Sequence, residues 1–144
     1  MDVTSKLFAP LVVLLALSLV AMSGCSDPQK AIERVKGETN AAEPPNIQTL
    51  LRNPEALTKE VSEAKEKLGA ISLSGCPRDF KSAFNDWRKN IIEVLDLTIE
   101  LSNIVQSGDR NVAISKQQEL EAKIKQGQQA EAKLREVERK YASK

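Results

Sequence analysis

The sequence predicts an all-α fold: an antiparallel, up-down-up bundle of three main helices, its first helix kinked or split at Pro54, after a disordered tether. Three observations carry that expectation. Apolar residues recur at steps of three and four over long stretches between positions 46 and 144. The β-branched and aromatic runs that announce strands are missing. Between the periodic stretches, Ser-Gly-Cys-Pro and Ser-Gly-Asp each combine a helix stop with a helix start.

The middle helix is the clearest. Phe80, Phe84, Trp87, Ile91, Val94, Thr98, Leu101 and Val105 follow one another at alternating steps of four and three. Ile92, Leu95, Ile99 and Ile104 lie beside that stripe, so the helix is apolar over more than one face and needs neighbours on at least two sides. Cys76-Pro77-Arg78-Asp79 opens it, with proline near the start and an acid at the positive end of the dipole. Gly108 suits the left-handed residue after its end, and Asp109 suits the cap of the next helix.

The first helix runs over 46–71. Ile47, Leu50, Leu57, Val61, Ala64, Leu68 and Ile71 supply its apolar stripe, and Asn53-Pro54-Glu55 is a helix start inside it. The last runs from Arg110 to Tyr141, with Ala113, Leu120, Gly127, Leu134 and Tyr141 at sevens. Glu119–Lys123, Glu121–Lys125, Glu131–Arg135 and Glu136–Lys140 are spaced as i,i+4 pairs, which reads as a solvated face. Folding these as consecutive hairpins sets Val105 against Val112. It also sets Trp87 between Ala64 and Gly127 or Ala130, the largest side chain opposite the smallest. The expected core is therefore Phe80, Phe84, Trp87, Ile91, Val94 and Leu101 with Ala64 and Gly127. The competing arrangement is a parallel coiled coil of several chains, against which the two stop-start breaks argue.

The N-terminal 45 residues are organised differently. Leu7 to Met22 is an almost unbroken apolar run of 16 residues, shorter than the ~20 of a relaxed transmembrane helix and fit for a signal-peptide core over 1–24. From Ser26 to Pro45 the chain is polar and broken by Gly37, Pro44 and Pro45. Ala31, Ile32 and Val35 are read as one or two amphipathic turns and not as a buried helix. As a flexible tether, 25–45, this segment would span roughly 25 Å on average.

Met22-Ser23-Gly24-Cys25, at the end of that core, resembles the lipobox of bacterial lipoproteins: a large apolar residue, two small ones, then cysteine. The resemblance implies cleavage between Gly24 and Cys25 and lipidation of Cys25 with acyl chains such as palmitate, which makes the membrane a partner. Ser26 after the cysteine implies, for a Gram-negative host, an outer-membrane lipoprotein facing the periplasm. The other reading is an uncleaved anchor or an ordinary secretory signal.

Chemistry is sparse. The chain has 21 Lys plus Arg, 20 Asp plus Glu and no His, and the charges alternate rather than cluster, so nucleic acid is not an expected partner. Without His the commonest general base is absent, no carboxylate couple stands out, and no phosphate loop or metal-ligand spacing is present. No enzyme and no cofactor is expected. Once Cys25 is acylated, Cys76 is unpaired, which suggests an intermolecular disulfide and a homodimer, or a small residue tucked under its turn. Its place at a helix start beside Arg78 should favour the thiolate. Lys144, behind Tyr141, resembles the terminal lysine by which the murein lipoprotein is attached to peptidoglycan. Two functions follow: an envelope lipoprotein whose bundle binds a protein partner, or a structural tether through Lys144 or a Cys76-linked dimer.

Overall fold

The structure, a computed structural model, describes residues 27–43 and 53–142. They form four α-helices: α1 Pro28–Ala41, α2 Pro54–Ala70, α3 Arg78–Ser107 and α4 Arg110–Ala142. Among the described residues there is no strand, and no helix is long and apolar enough to cross a membrane. The all-α class is as expected. The helix count is not: four helices share the core where three were anticipated.

The addition is α1, inside the stretch read as a flexible tether. Asp27 caps it by accepting from the Gln29 backbone N–H at 3.3 Å, and Pro28 occupies the first turn. Ile32, Val35, Thr39 and Ala42 are buried at steps of three and four. The stripe is inconspicuous in the sequence because threonine and alanine supply half of it. Burial of Thr39 is cheap, because its hydroxyl donates to the Val35 carbonyl at 2.7 Å. α1 lies against α2 and α4. Arg34 donates to the carbonyls of Ser72 (2.9 Å) and Ser74 (3.1 Å), tying α1 to the turn after α2.

α2 begins at Pro54, capped by Asn53 accepting from the Ala56 N–H at 3.2 Å, and buries Leu57, Val61, Ala64 and Leu68. The expected start of this helix at 46–52 lies outside the described residues. Gly75, at φ +79°, makes the turn into α3, a conformation that other residues rarely adopt. An added Cβ there would come into van der Waals contact with Ala31 of α1, at 3.4 Å.

α3 is the centre of the core. Phe80, Ala83, Phe84, Trp87, Ile91, Val94, Leu95, Leu97, Thr98 and Leu101 are all buried. Phe84 lies between Phe80 and Trp87, with ring centroids 5.9 and 5.4 Å away. The helix ends at Gly108, also at φ +79°, and Asp109 accepts from the Val112 N–H at 3.1 Å to start α4. α4 buries Leu120, Ile124, Gly127, Glu131 and Leu134. Val105 and Val112, expected to pack against each other across the hairpin, are instead exposed. They stand at the turn between the two longest helices, where the described residues leave them uncovered.

Opposite sequence directions are legible from ion pairs. Asp79–Lys140 (2.6 Å), Asp86–Lys133 (3.9 Å), Glu93–Lys123 and Glu100–Lys116 (2.9 Å) join α3 to α4, so the two run antiparallel. This register places Ala130 level with Trp87. Between α2 and α3, Lys65 pairs with Asp96, and Arg88 donates to the carbonyls of Leu68 and Ile71.

Candidate functional sites

The residues expected to carry lipidation and cleavage, Cys25 and Gly24, and the candidate wall-attachment residue Lys144 lie outside the described residues. Cys76 is described. It is buried, and its backbone N–H donates to the Leu73 carbonyl at 3.2 Å. Burial pushes its thiol pKa up, and the cations Arg34 and Lys81 offset only part of that rise. The expected thiolate is thus corrected. Cys76 precedes the first turn of α3 and sits under the α2–α3 turn, where desolvation outweighs the nearby positive charge. A disulfide to a second chain would require that turn to open.

Phe80, Phe84 and Trp87, expected in the core, are all fully packed. The Trp87 indole N–H has no acceptor within the described core.

A groove lies on the α3–α4 edge. Asp86, Lys89, Asn90 and Glu93 of α3 face Lys123, Gln126, Gln129 and Lys133 of α4 around about 460 Å³ of open space. Its chemistry is mostly self-neutralising. Lys123 pairs with Glu93 and holds that carboxyl below the usual carboxylate range, and Lys133 lies near Asp86. The groove is therefore the solvated side of an ion-pair ladder that fixes helix register. The signal in the sequence is Asp79, Asp86, Glu93 and Glu100 at steps of seven on α3. Of the expected i,i+4 pairs of α4, Glu131–Arg135 forms, whereas Lys123 and Lys140 reach across to α3 instead, and Lys116 joins both Glu100 and Glu119. Asp79 also accepts from the Tyr141 hydroxyl at 2.8 Å, and hydrogen bonds from Lys140 and Tyr141 hold its carboxyl low.

A second departure lies where α1 meets α4. Glu131, expected on a solvated face, is buried and bonds to Arg135. Glu138, seven residues on, is mostly buried and reaches Lys36 of α1 at 3.4 Å, and its second oxygen has no partner. Burial pushes the Glu138 carboxyl above the usual range, with Lys36 and then Arg135 drawing it down less and Glu131 adding to the rise. A carboxyl raised in the folded state stabilises fully below its unfolded pKa and loses that contribution as pH rises through the folded value. Glu138→Gln is therefore expected to raise Tm at neutral pH, with the gain vanishing in acid as Glu138 protonates. Thermal melts at the two pH values check this. A lower Tm at neutral pH would show that the Lys36 pair outweighs burial.

Among the described residues no group of three or more His, Cys, Asp or Glu is arranged to hold a metal ion. Comparison of the chain with protein-family models, with curated proteins and with solved structures returns no match.

Proposed function

We propose that the chain is a non-enzymatic, lipid-anchored envelope protein whose helical domain binds a protein partner at the α3–α4 turn. In the arrangement proposed, α2, α3 and α4 form an antiparallel up-down-up bundle and α1 lies in the groove between α2 and α4. The anchor rests on the Met22–Cys25 sequence and the apolar run before it.

The observation that carries partner binding is the distribution of exposed apolar surface. Val105 (60% exposed), Val112 (45%) and Ile114 (53%) are the exposed large hydrophobic residues among those described, and all three stand at one end of one hairpin. Single exposed apolar residues need no explanation, but here they concentrate at the tip of one long hairpin, with Val112 and Ile114 on different faces of α4, and that concentration favours the tip as the interaction surface. A tether through a Cys76-linked dimer is less well supported, because the thiol is buried.

The test is a photo-crosslinking residue in place of Val112, compared with one in place of the exposed Ser62 on α2. A discrete protein adduct is expected at 112, absent at 62 and lost when Ile114→Asp is added. Identical patterns at both positions would remove the tip as the binding surface. Adducts confined to lysozyme-released wall fragments would favour the tether through Lys144.

A further inference from the structure

The chain expected to hold the domain away from the membrane is largely taken up by α1. Only Ser26 stands between Cys25 and Asp27, the cap of α1. Two extended residue steps span about 7 Å, so a lipid on Cys25 lies close to the start of that helix. α1 is itself fixed to the domain by buried Ile32, Val35 and Thr39, by Arg34 on the Ser72 and Ser74 carbonyls, and by Lys36 on Glu138.

The charges at this end are unevenly matched. Glu38 pairs with Arg34 and Asp79 with Lys140, whereas Asp27 and Glu33 accept only from the Gln29 backbone N–H and side-chain amide and keep their charge. Lys30, Arg78 and Lys81 are exposed, and among the described residues no ion-pair partner engages them. Lys81 and Arg34 both act on the Cys76 thiol, which places them around the α2–α3 turn. Ala31, next to Lys30, faces Gly75 in the same turn.

Resting on the anchor proposed above, we infer that the end of the domain formed by the start of α1, the α2–α3 turn and the start of α3 sits directly on anionic phospholipid headgroups. α3 then stands away from the membrane and carries the α3–α4 turn outward. The 28 residue steps from Asp79 to Ser107 rise about 42 Å at 1.5 Å each. The anchor is thus a rigid mount that aims the apolar tip, where a flexible tether would let the domain tumble. Each basic residue beside an anionic leaflet raises its occupancy about five-fold, and the uncompensated Asp27 and Glu33 carboxylates offset part of what Lys30, Arg78 and Lys81 contribute.

The experiment uses the full-length, acylated protein in vesicles of phosphatidylethanolamine and phosphatidylglycerol. A fluorophore is attached through Ser82→Cys near the membrane end or Ser115→Cys near the tip, in a Cys76→Ala background. Energy transfer to headgroup-labelled lipid is expected to be strong from position 82 and weak from 115. Lys30→Glu/Arg78→Glu/Lys81→Glu, still lipid-bound, should abolish the difference, as should replacing phosphatidylglycerol with phosphatidylcholine. Equal transfer from both positions, or no response to the triple substitution, would overturn the inference. The mass of the N-terminal peptide separates the two layers. An unacylated Cys25 removes the anchor and this orientation with it, whereas an acylated chain with equal transfer removes the orientation alone.

Discussion

Trp87→Ala is expected to cost about 3–5 kcal/mol of unfolding free energy, the range for deleting a large aromatic from a packed core. Trp87 is fully buried beside Phe84 and is the largest buried side chain of the domain. Domains of this size hold roughly 5–15 kcal/mol in total, so the variant should sit near its folding threshold. Denaturant titration with an unchanged slope would measure it. Trp87→Phe should cost clearly less than volume suggests, because it also deletes an indole N–H that lacks an acceptor, a burden of about 1–3 kcal/mol. A loss from Trp87→Phe as large as the removed volume alone predicts would mean that the N–H is satisfied, for instance by water. Ala64→Leu and Gly127→Leu test the same packing from the other side. Both positions are buried on helices flanking α3, and overfilling there is expected to cost about 1–3 kcal/mol each.

Val35→Asp is the second large effect. Val35 is completely buried at the centre of the α1 stripe, and no cation is available to pair with a carboxylate placed there: Arg34 and Lys36 are already engaged elsewhere. An unpaired buried charge costs several kcal/mol, more than the docking of a 14-residue helix can absorb. A free helix of that length is marginal in water, so undocking should also melt it. Hydrogen exchange is expected to show residues 28–42 losing protection while α3 and α4 keep theirs. Unchanged protection in α1 would show that the stripe does not hold it, and collapse of the whole domain would show that α1 is inseparable from the core. In membranes, the same variant should restore the flexible tether and erase the orientation of the domain.

Much of this fold is legible in the residues. The stripe from Phe80 to Leu101, the Asn53-Pro54 start and the Ser107-Gly108-Asp109 stop-start all specify local geometry, because caps, prolines and glycines act within a few residues of themselves. The ladder of acids on α3 is written equally plainly at sevens, but its meaning depends on which lysines stand opposite. In isolation, Lys123 and Lys140 have good partners four residues back on their own helix. The helix across the seam offers better ones.

α1 is less plainly written. Ile32 and Val35 alone cannot support a helix in water, and Thr39 and Ala42 do not look like core until something covers them. Glu131 and Glu138 carry the same ambiguity, as carboxylates on a charged helix whose burial depends on α1 being there. The exposed tip is the converse case: Val105 and Val112 have core-like spacing, yet no described segment reaches far enough to cover them.

The sequence by itself determined that this protein is helical, where three of its helices begin or end, and which side chains of α3 are apolar on every inward turn. Those properties follow from backbone sterics and from hydrophobic period, which are local. Only the tertiary structure decided that a fourth helix closes over α2 and α4, that Cys76 is a buried thiol, and that the apolar tip of the α3–α4 hairpin is left in water. Those outcomes depend on what stands opposite each residue, and burial is a property of the pair.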